Sequence, residues 1–158
     1  MIGMQTYNLF RPAFEYDASD PDGYRAGMDR FGPKIGAARL GASVYELPPG
    51  QALCPYHYES DEEWVLVLEG SLTVRHPGGE DVLGPGDVAC FPSGPDGAHK
   101  TTNHGTETVR LVMFSTRDQV AYAVYPDSNK IGVWTGRDDE HVLARLGESL
   151  EYYDGETA

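Results

Sequence analysis

The sequence has few cysteines, few cations and no long apolar run. Its two cysteines, Cys54 and Cys90, lack the pairing typical of a Cys-based zinc site. The longest uninterrupted aliphatic run, Val65–Leu68, is far too short to cross a bilayer. The first residues lack the basic and apolar segments of a secretion signal. We therefore expect a cytoplasmic protein with reduced thiols, no Cys54–Cys90 disulfide and no membrane partner.

One sign dominates the charge of the chain. There are 12 Lys and Arg against 25 Asp and Glu, giving a formal net charge of -13 and a sequence pI near 4.6. This field would repel nucleic acid and anionic membrane surfaces, because binding them requires a basic patch. The 158 residues are enough for one hydrophobic core and too few for two ordinary domains. We expect a single acidic domain without a nucleic-acid partner.

Helical periodicity is also scarce, and short β-like runs fill the middle of the chain. Turn pairs such as Pro49-Gly50, Gly78-Gly79 and Pro85-Gly86 separate these runs. Many short strands at regular spacing indicate an all-β sandwich or a closed antiparallel barrel. The predicted strands are Ala42–Leu47, Ala52–Glu59, Glu62–Glu69, Ser71–His76, Asp81–Leu83, Asp87–Phe91, Ala98–Asn103 and Thr108–Ser115.

Two flanking segments bracket this core. We predict that residues 1–40 are an N-terminal extension, that residues 41–117 are the barrel, and that residues 118–158 complete the same domain. Both flanks are expected to pack against the barrel or against a second subunit. The C-terminal flank is predicted to contain strands at Gln119–Tyr125 and Lys130–Trp134, a short helix at Asp138–Leu146 and an acidic tail at Glu148–Ala158.

The run Pro55–Trp64 places polar groups on the apolar inside of the sheet. Alternate side chains of an extended strand share a face, so His57, Glu59 and Glu63 point the same way if the strand phase continues. Two buried carboxylates repel each other and lose hydration unless a cation lies between them. His99, at the start of a later strand, supplies a second imidazole. These four side chains predict a site for one divalent metal ion.

The donor atoms of this predicted site limit the metal and its chemistry. Nitrogen and oxygen donors without thiolate suit Mn, Fe, Ni, Co or Zn. Four protein ligands around an octahedral ion leave two positions for water, substrate or dioxygen, as Lewis-acid and oxygen chemistry require. Glu59 has two interpretations, because a carboxylate is competent as a ligand and as a base that transfers a proton.

Two motifs give the chain a family resemblance. Residues 50–70 resemble the first cupin motif, G-x5-H-x-H-x3,4-E-x6-G, and residues 86–103 resemble the second, G-x5-P-x-G-x2-H-x3-N. One extra residue precedes the first histidine, and two extra residues precede the second-motif histidine. The flanks are similar to those of uncharacterised single-domain bacterial cupins. The matching residues are Gly50, His57, Glu63 and Gly70, then Gly86, Pro92, Gly94, His99 and Asn103.

The resemblance implies a cupin-type double-stranded β-helix, or jelly-roll antiparallel barrel, with His57, Glu63 and His99 as metal ligands. Cupins with the complete set use three histidines and one glutamate. Glu59 stands where the family usually has its second histidine. The predicted set is therefore two histidines with one or two glutamates, and Glu59 is either a ligand or a nearby base.

Several other residues have predicted structural roles. Trp64, Leu66 and Leu68 give the barrel wall an apolar outer face, which requires cover from the flanks or from a partner subunit. Since many cupins are dimers, we expect a homodimer. Asn103 is expected to close a turn through its amide. Three histidines are expected to be exposed and without function: His76, His104 and His141.

These observations leave three functional hypotheses. The first is a metal-dependent enzyme of the dioxygenase, isomerase or lyase type, acting on a small oxygenated molecule. The alternative is a barrel that binds or senses a small ligand and holds a structural metal, because the fold does not decide between the two. A metal-free barrel used only for association is the third hypothesis. Whether the protein is an enzyme stays open at this point.

Overall fold

A computed structural model describes residues 3–117, 119–137 and 140–157 of the chain. In these ranges the chain is almost entirely β-structure, with antiparallel pairing throughout the sheets, which confirms the all-β jelly-roll prediction. Short 3-10 helices occur at Pro33–Ile35, Pro95–Gly97 and Pro126–Ser128. The strands are β1 Glu15–Tyr16, β2 Gly27–Arg30, β3 Leu40–Leu47, β4 Tyr58–Glu59, β5 Glu63–Glu69, β6 Leu72–His76, β7 Gly79–Leu83, β8 Val88–Phe91, β9 Lys100–Thr102, β10 Val109–Thr116, β11 Ala121–Tyr125, β12 Lys130–Trp134 and β13 His141–Arg145.

The largest sheet has six strands in the order β1-β2-β3-β10-β5-β8. Strand β10 lies at its centre and pairs along its whole length with β3, from Val109 opposite Leu47 to Thr116 opposite Leu40. A second sheet has the order β13-β12-β11-β4, and a third has the order β7-β6-β9. Because partners far apart in sequence lie side by side, most of the fold depends on long-range strand pairing.

The hydrophobic core lies on the inner face of the six-stranded sheet. Alternate residues of β3, β5 and β10 point inward and meet Leu72 and Val74 of β6, as the period of two predicts. Each fully buried aliphatic side chain contributes about 1.5–3 kcal/mol relative to exposure. The buried members of this core are Leu47, Val65, Val67, Leu72, Val74, Phe91, Val109 and Leu111.

The outer face of the six-stranded sheet is covered by the N-terminal segment. Leu66 and Leu68 point outward from β5 and pack on a second cluster that contains Phe31 and Val112. Tyr7, Leu9 and Phe14 join that cluster, and the Tyr7 and Phe31 rings stack with centroids 4.8 Å apart. Trp64 is the exception, since 43% of its surface is exposed. The chain's own flank therefore supplies most of the cover that the apolar outer face requires.

The C-terminal flank contains three strands and no α-helix among its described residues. The helix predicted at Asp138–Leu146 is wrong over 141–145, because this stretch is strand β13, paired with β12; Asp138 and Asp139 lie outside the described residues. A short helix needs an apolar face that packs against the protein, and Val142 and Leu143 are more than half exposed. Burial therefore does not favour a helix in this segment. The predicted strands at Gln119–Tyr125 and Lys130–Trp134 correspond to β11 and β12.

The predicted strand at Ala52–Glu59 is mostly not a regular strand. Only Tyr58–Glu59 forms β4, and two isolated bridges join Ala52 to Thr102 and His57 to His99. Pro55 interrupts the run because proline has no amide hydrogen to donate to a ladder. This irregular segment carries His57 toward the interior.

Cys54 and Cys90 are free thiols. The Asn103 side-chain amide donates to the carbonyl oxygens of Leu47 and Glu107 and accepts from the Gly105 amide, so it closes a turn as expected. No helix among the described residues is long and apolar enough to cross a membrane.

Asp29 fixes the N-terminal segment to the sheet. Its buried carboxylate accepts hydrogen bonds from the Tyr7 hydroxyl (2.6 Å) and the Ala13 amide (2.8 Å), and it forms an ion pair with Lys34. Burial alone would raise the pKa of Asp29, but these three partners outweigh it and hold the pKa below its usual value.

We expect Asp29→Asn to lower the free energy of unfolding by about 2 kcal/mol near neutral pH, because an amide nitrogen replaces one acceptor oxygen. A lowered carboxyl pKa stabilises the fold above the unfolded-state pKa, and this contribution disappears as the pH falls through the folded-state pKa. The difference between the two proteins should therefore shrink in strong acid. Urea unfolding at several pH values measures it, and Asp22→Asn, at an exposed ion pair with Arg25, is the control. Equal stability of the Asp29→Asn variant and the wild type at neutral pH would contradict this role.

Candidate metal centre

The two predicted histidine ligands are cross-strand neighbours. His57 and His99 form an isolated antiparallel bridge in which each amide donates to the other's carbonyl oxygen, at 3.1 and 2.8 Å. Side chains of such a pair project to the same side of the sheet. The ring centroids lie 4.7 Å apart, and both residues are buried. Backbone pairing thus brings together imidazoles that are 42 positions apart in sequence.

A short 3-10 turn sets the position of His99. The two residues that lengthen the second motif fall in Pro95–Gly97, which folds as this turn. The Gly94 amide donates to the Glu59 carbonyl oxygen at 2.8 Å and so joins the turn to β4. Gly94 has a φ of +84°, a conformation that favours glycine. The insertion is therefore accommodated within the loop, and His99 keeps its place opposite His57.

Both imidazoles present the same nitrogen to the interior. Nδ1 of His57 lies 2.9 Å from the Pro55 carbonyl oxygen, and Nδ1 of His99 lies 2.9 Å from the Gly97 carbonyl oxygen. A carbonyl oxygen only accepts, so each Nδ1 carries the donated hydrogen. In the neutral tautomer this leaves the Nε2 lone pair free, which is the usual arrangement of a metal-binding histidine.

Glu63 supplies the third donor from the first position of β5. Its Oε2 lies 3.7 Å from Nε2 of His57 and 3.4 Å from Nε2 of His99. Donor atoms of these three side chains all lie within 4.8 Å of one another. Glu63 Oε2 is buried and has no hydrogen-bond partner among the described residues. A buried anionic oxygen of this kind is costly unless a cation compensates it, so the donor set fits a divalent metal.

Glu59 also lies beside His57, although it belongs to a different strand and sheet from Glu63. It lies on β4, in the sheet with β11, whereas Glu63 lies on β5 in the six-stranded sheet. The chain bends at residues 60–61, so the condition of a continuous strand phase between the two glutamates is not met. Glu59 Oε1 is nevertheless 3.3 Å from Nε2 of His57. Glu59 lies beside the centre but outside the group of three mutually close donors.

The pKa values of the two histidines in this site are shifted in opposite directions. Burial disfavours protonation of His57, but the close contact with Glu59 and the negative charges of Glu59 and Glu63 outweigh it and raise the pKa of His57 to about 9. Burial, and then the neighbouring charge of His57, lower the pKa of His99 to about 4. Burial also raises the pKa of Glu63. Without a metal, the site therefore retains a proton near His57 at neutral pH, which a bound cation would displace.

Two aromatic rings support the imidazoles. Phe91 stacks on His99 with centroids 3.7 Å apart and an interplanar angle of 7°. Tyr125 stacks on His57 at 5.8 Å and 23°. Sequence reasoning assigned neither residue to the site. Phe91 follows the Gly86–Asp87 turn within the second motif, and Tyr125 belongs to β11, whose place beside β4 no local pattern reveals.

The centre opens into a cavity of about 260 Å³. Besides the four predicted site residues, Tyr45, Cys54 and Met113 line it, together with Leu53, Lys100 and Thr101. Tyr45 and Met113 lie on the inward faces of β3 and β10, in phase with core residues, so their sequence signal is indistinguishable from that of the core. This volume accommodates a small molecule next to the donor atoms.

The remaining histidines lie away from this centre. His76 Nε2 pairs with an Asp81 carboxylate oxygen at 3.1 Å near the surface. His104 and His141 are exposed. The predicted exposure is therefore confirmed for His104 and His141, whereas His76 is partly buried.

Comparison with known proteins identifies the fold. Residues 43–115 match the sequence profile of the family described as Cupin domain. None of the curated proteins matches the chain.

Solved structures extend the comparison beyond this segment. A putative sugar phosphate isomerase from Acidithiobacillus ferrooxidans is similar over 90% of this chain and 91% of its own, with 24% identity and a TM-score of 0.79. A cupin-superfamily sugar phosphate isomerase from Silicibacter pomeroyi is similar over 94% and 98%, with 24% identity and a TM-score of 0.79. A polyketide cyclase from Streptomyces resistomycificus is similar over 73% and 81%, with 22% identity and a TM-score of 0.61. At these identities the similarity shows the fold. Residues 43–115 therefore match a cupin domain, and the rest of the chain shares the fold of these solved structures.

Proposed function

We propose that this protein is a metal-dependent enzyme that acts on a small oxygenated molecule by dioxygenase, isomerase or lyase chemistry. The observation that carries the proposal is the convergence of three donors. The Nε2 atoms of His57 and His99 and the buried Oε2 of Glu63 face one another, and both Nδ1 atoms are held by backbone carbonyl oxygens. These donors suit Mn, Fe, Ni, Co or Zn.

The donor residues and the residues around them would have different roles in the reaction. His57, Glu63 and His99 would hold the metal, which supplies Lewis-acid polarisation or dioxygen activation when bound. Glu59 has 28% of its side chain exposed and contacts both His57 and the cavity, so it is placed to hold or transfer a proton at its Oε1. Phe91 and Tyr125 would keep the imidazole planes fixed.

We also propose a cytoplasmic homodimer. The supporting features are surface residues at one edge of the six-stranded sheet. Strand β8 is an edge strand, and its Val88 is 54% exposed. Trp64, 43% exposed, lies opposite Cys90 of the same strand. An edge strand with exposed apolar groups is suited to pairing with a second subunit.

Titration of the metal-stripped protein with Mn²⁺ tests the proposed function. We expect binding of one ion per chain, with release of about one proton at about pH 7.5, because the pKa of His57 is about 9 in the metal-free site. Affinity should rise with pH up to that pKa and then level off. Calorimetry in buffers of different ionisation enthalpy measures both quantities.

The same samples separate the enzyme from a binding protein. An enzyme requires a position open to substrate, so water exchanging at the bound Mn²⁺ should enhance proton relaxation of the solvent. A bound ion without exchanging water would favour a ligand-binding barrel with a structural metal. A protein that binds no Mn²⁺, Fe²⁺, Ni²⁺, Co²⁺ or Zn²⁺ would exclude the proposed function.

A further inference from the structure

A second cavity adjoins the metal centre and has a different chemical character. It has a volume of about 230 Å³ and shares Tyr45, Glu63 and Met113 with the cavity of the metal centre. Two arginines, Arg30 and Arg117, line it. We call this space the arginine chamber. Glu63 thus has a predicted metal site on one side and a cationic cavity on the other.

Strand register explains how these residues come together. Arg30 of β2 is paired with Ser43 of β3, and Ser43 is paired with Met113 of β10, so all three face the same side of the sheet. In the adjacent row, Ser115 is paired with Glu63. The inward face therefore places Arg30, Ser43 and Ser115 along the same cavity as the Glu63 carboxylate.

Gly41 completes this wall from the position opposite Ser115. A Cβ atom added at Gly41 would lie 2.5 Å from the Ser115 hydroxyl oxygen. The absence of a side chain thus leaves space for the Ser115 hydroxyl on the chamber side of the sheet. Ser43 and Ser115 can each donate one O–H to a bound group.

Arg30 and Arg117 form no ion pair with any residue that the structure describes. Within the described ranges, neither guanidinium has a carboxylate within 4.0 Å, whereas Arg75 and Arg110 pair with Asp127 and Glu69. The chain has a net charge of -13, so two arginines that share a cavity without a described carboxylate partner are unusual in this protein. A guanidinium presents a planar fork of N–H donors that matches carboxylate and phosphate oxygens.

We propose that the arginine chamber binds an oxyanion, a carboxylate or phosphate group, carried by the molecule whose reactive part lies at His57, Glu63 and His99. The assignment of the reactive part rests on the proposed function, whereas oxyanion binding itself depends on Arg30 and Arg117. The ligand then has an anionic end in one cavity and an oxygenated end in the other. This narrows the substrate class from small oxygenated molecules to oxygenated acids or phosphate esters.

Glu63 couples the two cavities electrostatically. Its carboxylate repels an oxyanion in the chamber as long as no cation compensates it. A metal bound at Glu63 removes this repulsion, so metal and oxyanion should each tighten the binding of the other by the same factor. This reciprocity would be absent if the arginines bound anions at an independent surface.

Calorimetric titration with inorganic phosphate and with glycolate tests the proposal. Both probes are titrated into metal-stripped and Mn²⁺-loaded full-length protein, and the variants are Arg30→Gln and Arg117→Gln. The matched control is Arg145→Gln on β13, which changes the net charge equally and lies on another sheet. We expect each chamber variant to weaken oxyanion binding about tenfold and the control to change it less than about twofold.

The affinities for phosphate and glycolate, together with metal binding, distinguish the possible ligands of the arginine chamber. Phosphate bound more tightly than glycolate indicates a phosphate ester, and the reverse order indicates a carboxylic acid. Failure of both probes to bind the wild type, or equal weakening by Arg30→Gln, Arg117→Gln and Arg145→Gln, overturns the proposal. Arginine-dependent binding in a protein that binds no metal would leave the oxyanion site in place and remove the proposed enzyme. Metal binding without arginine-dependent oxyanion binding would overturn the oxyanion site and leave the proposed metal-dependent enzyme in place.

Discussion

Glu63→Gln and His99→Ala should each weaken divalent metal binding by about a hundredfold or more, because each removes one of three converging donors. The glutamine amide is neutral and cannot supply the negative charge that the buried Glu63 oxygen offers. His99→Ala removes an Nε2 donor whose orientation is fixed by the Gly97 carbonyl oxygen. Metal content after purification and chelator-competition titration measure the change.

Two further variants make this experiment specific. His76→Ala removes a histidine that pairs with Asp81 near the surface, and it should leave metal affinity unchanged. Glu59→Gln should weaken binding by only about tenfold, because Glu59 contacts His57 from outside the three-donor group. A loss as large as that of Glu63→Gln would instead make Glu59 a ligand. Full metal affinity in both Glu63→Gln and His99→Ala would contradict the proposed centre.

Gly97→Ala should destabilise the protein by about 3 kcal/mol and also weaken metal binding by about tenfold or more. An added Cβ atom would lie 1.8 Å from the Pro92 carbonyl oxygen, so the backbone of the turn would have to move. No side-chain rotation relieves a contact between a Cβ atom and the main chain. The Gly97 carbonyl oxygen accepts the hydrogen bond from Nδ1 of His99, and moving it would turn the imidazole away from Glu63.

Gly84→Ala is the control for this prediction. Its added Cβ would have only the Asp87 carboxylate in reach, at 3.8 Å, which is an ordinary contact. Urea unfolding of both variants gives the change in free energy, and metal titration gives the change in affinity. If Gly97→Ala matched Gly84→Ala in both measurements, the turn would not control the position of His99.

The fold was largely predictable because its elements are locally encoded. The inward residues of β5 and β10 alternate with outward ones at a period of two, and turn-forming glycines separate the strands. The prediction failed where pairing rather than pattern determines structure. His141–Arg145 is short and exposed, and it becomes a strand because β12 offers it a hydrogen-bonding edge.

The donor residues were predictable from motif spacing, but the reason for their convergence was not. His57, Glu63 and His99 were identified from residue type and order. Strand parity suggested that two successive strands in phase carry both glutamates on one face, whereas Glu59 and Glu63 lie on different sheets. The bridge between His57 and His99 and the position of Glu63 at the start of β5 bring the donors within reach of one another.

The sequence by itself determined that this is an acidic, all-β protein whose two motifs resemble those of cupins and whose candidate metal donors are His57, Glu63 and His99. Periodicity, turn chemistry and motif order are local properties, so they can be read without knowing which strands are neighbours. Only the tertiary structure decided the surroundings of that site. The positions of Tyr125, Arg30 and Arg117 depend on pairing between strands distant in sequence, and their residue types alone carry no sign of it.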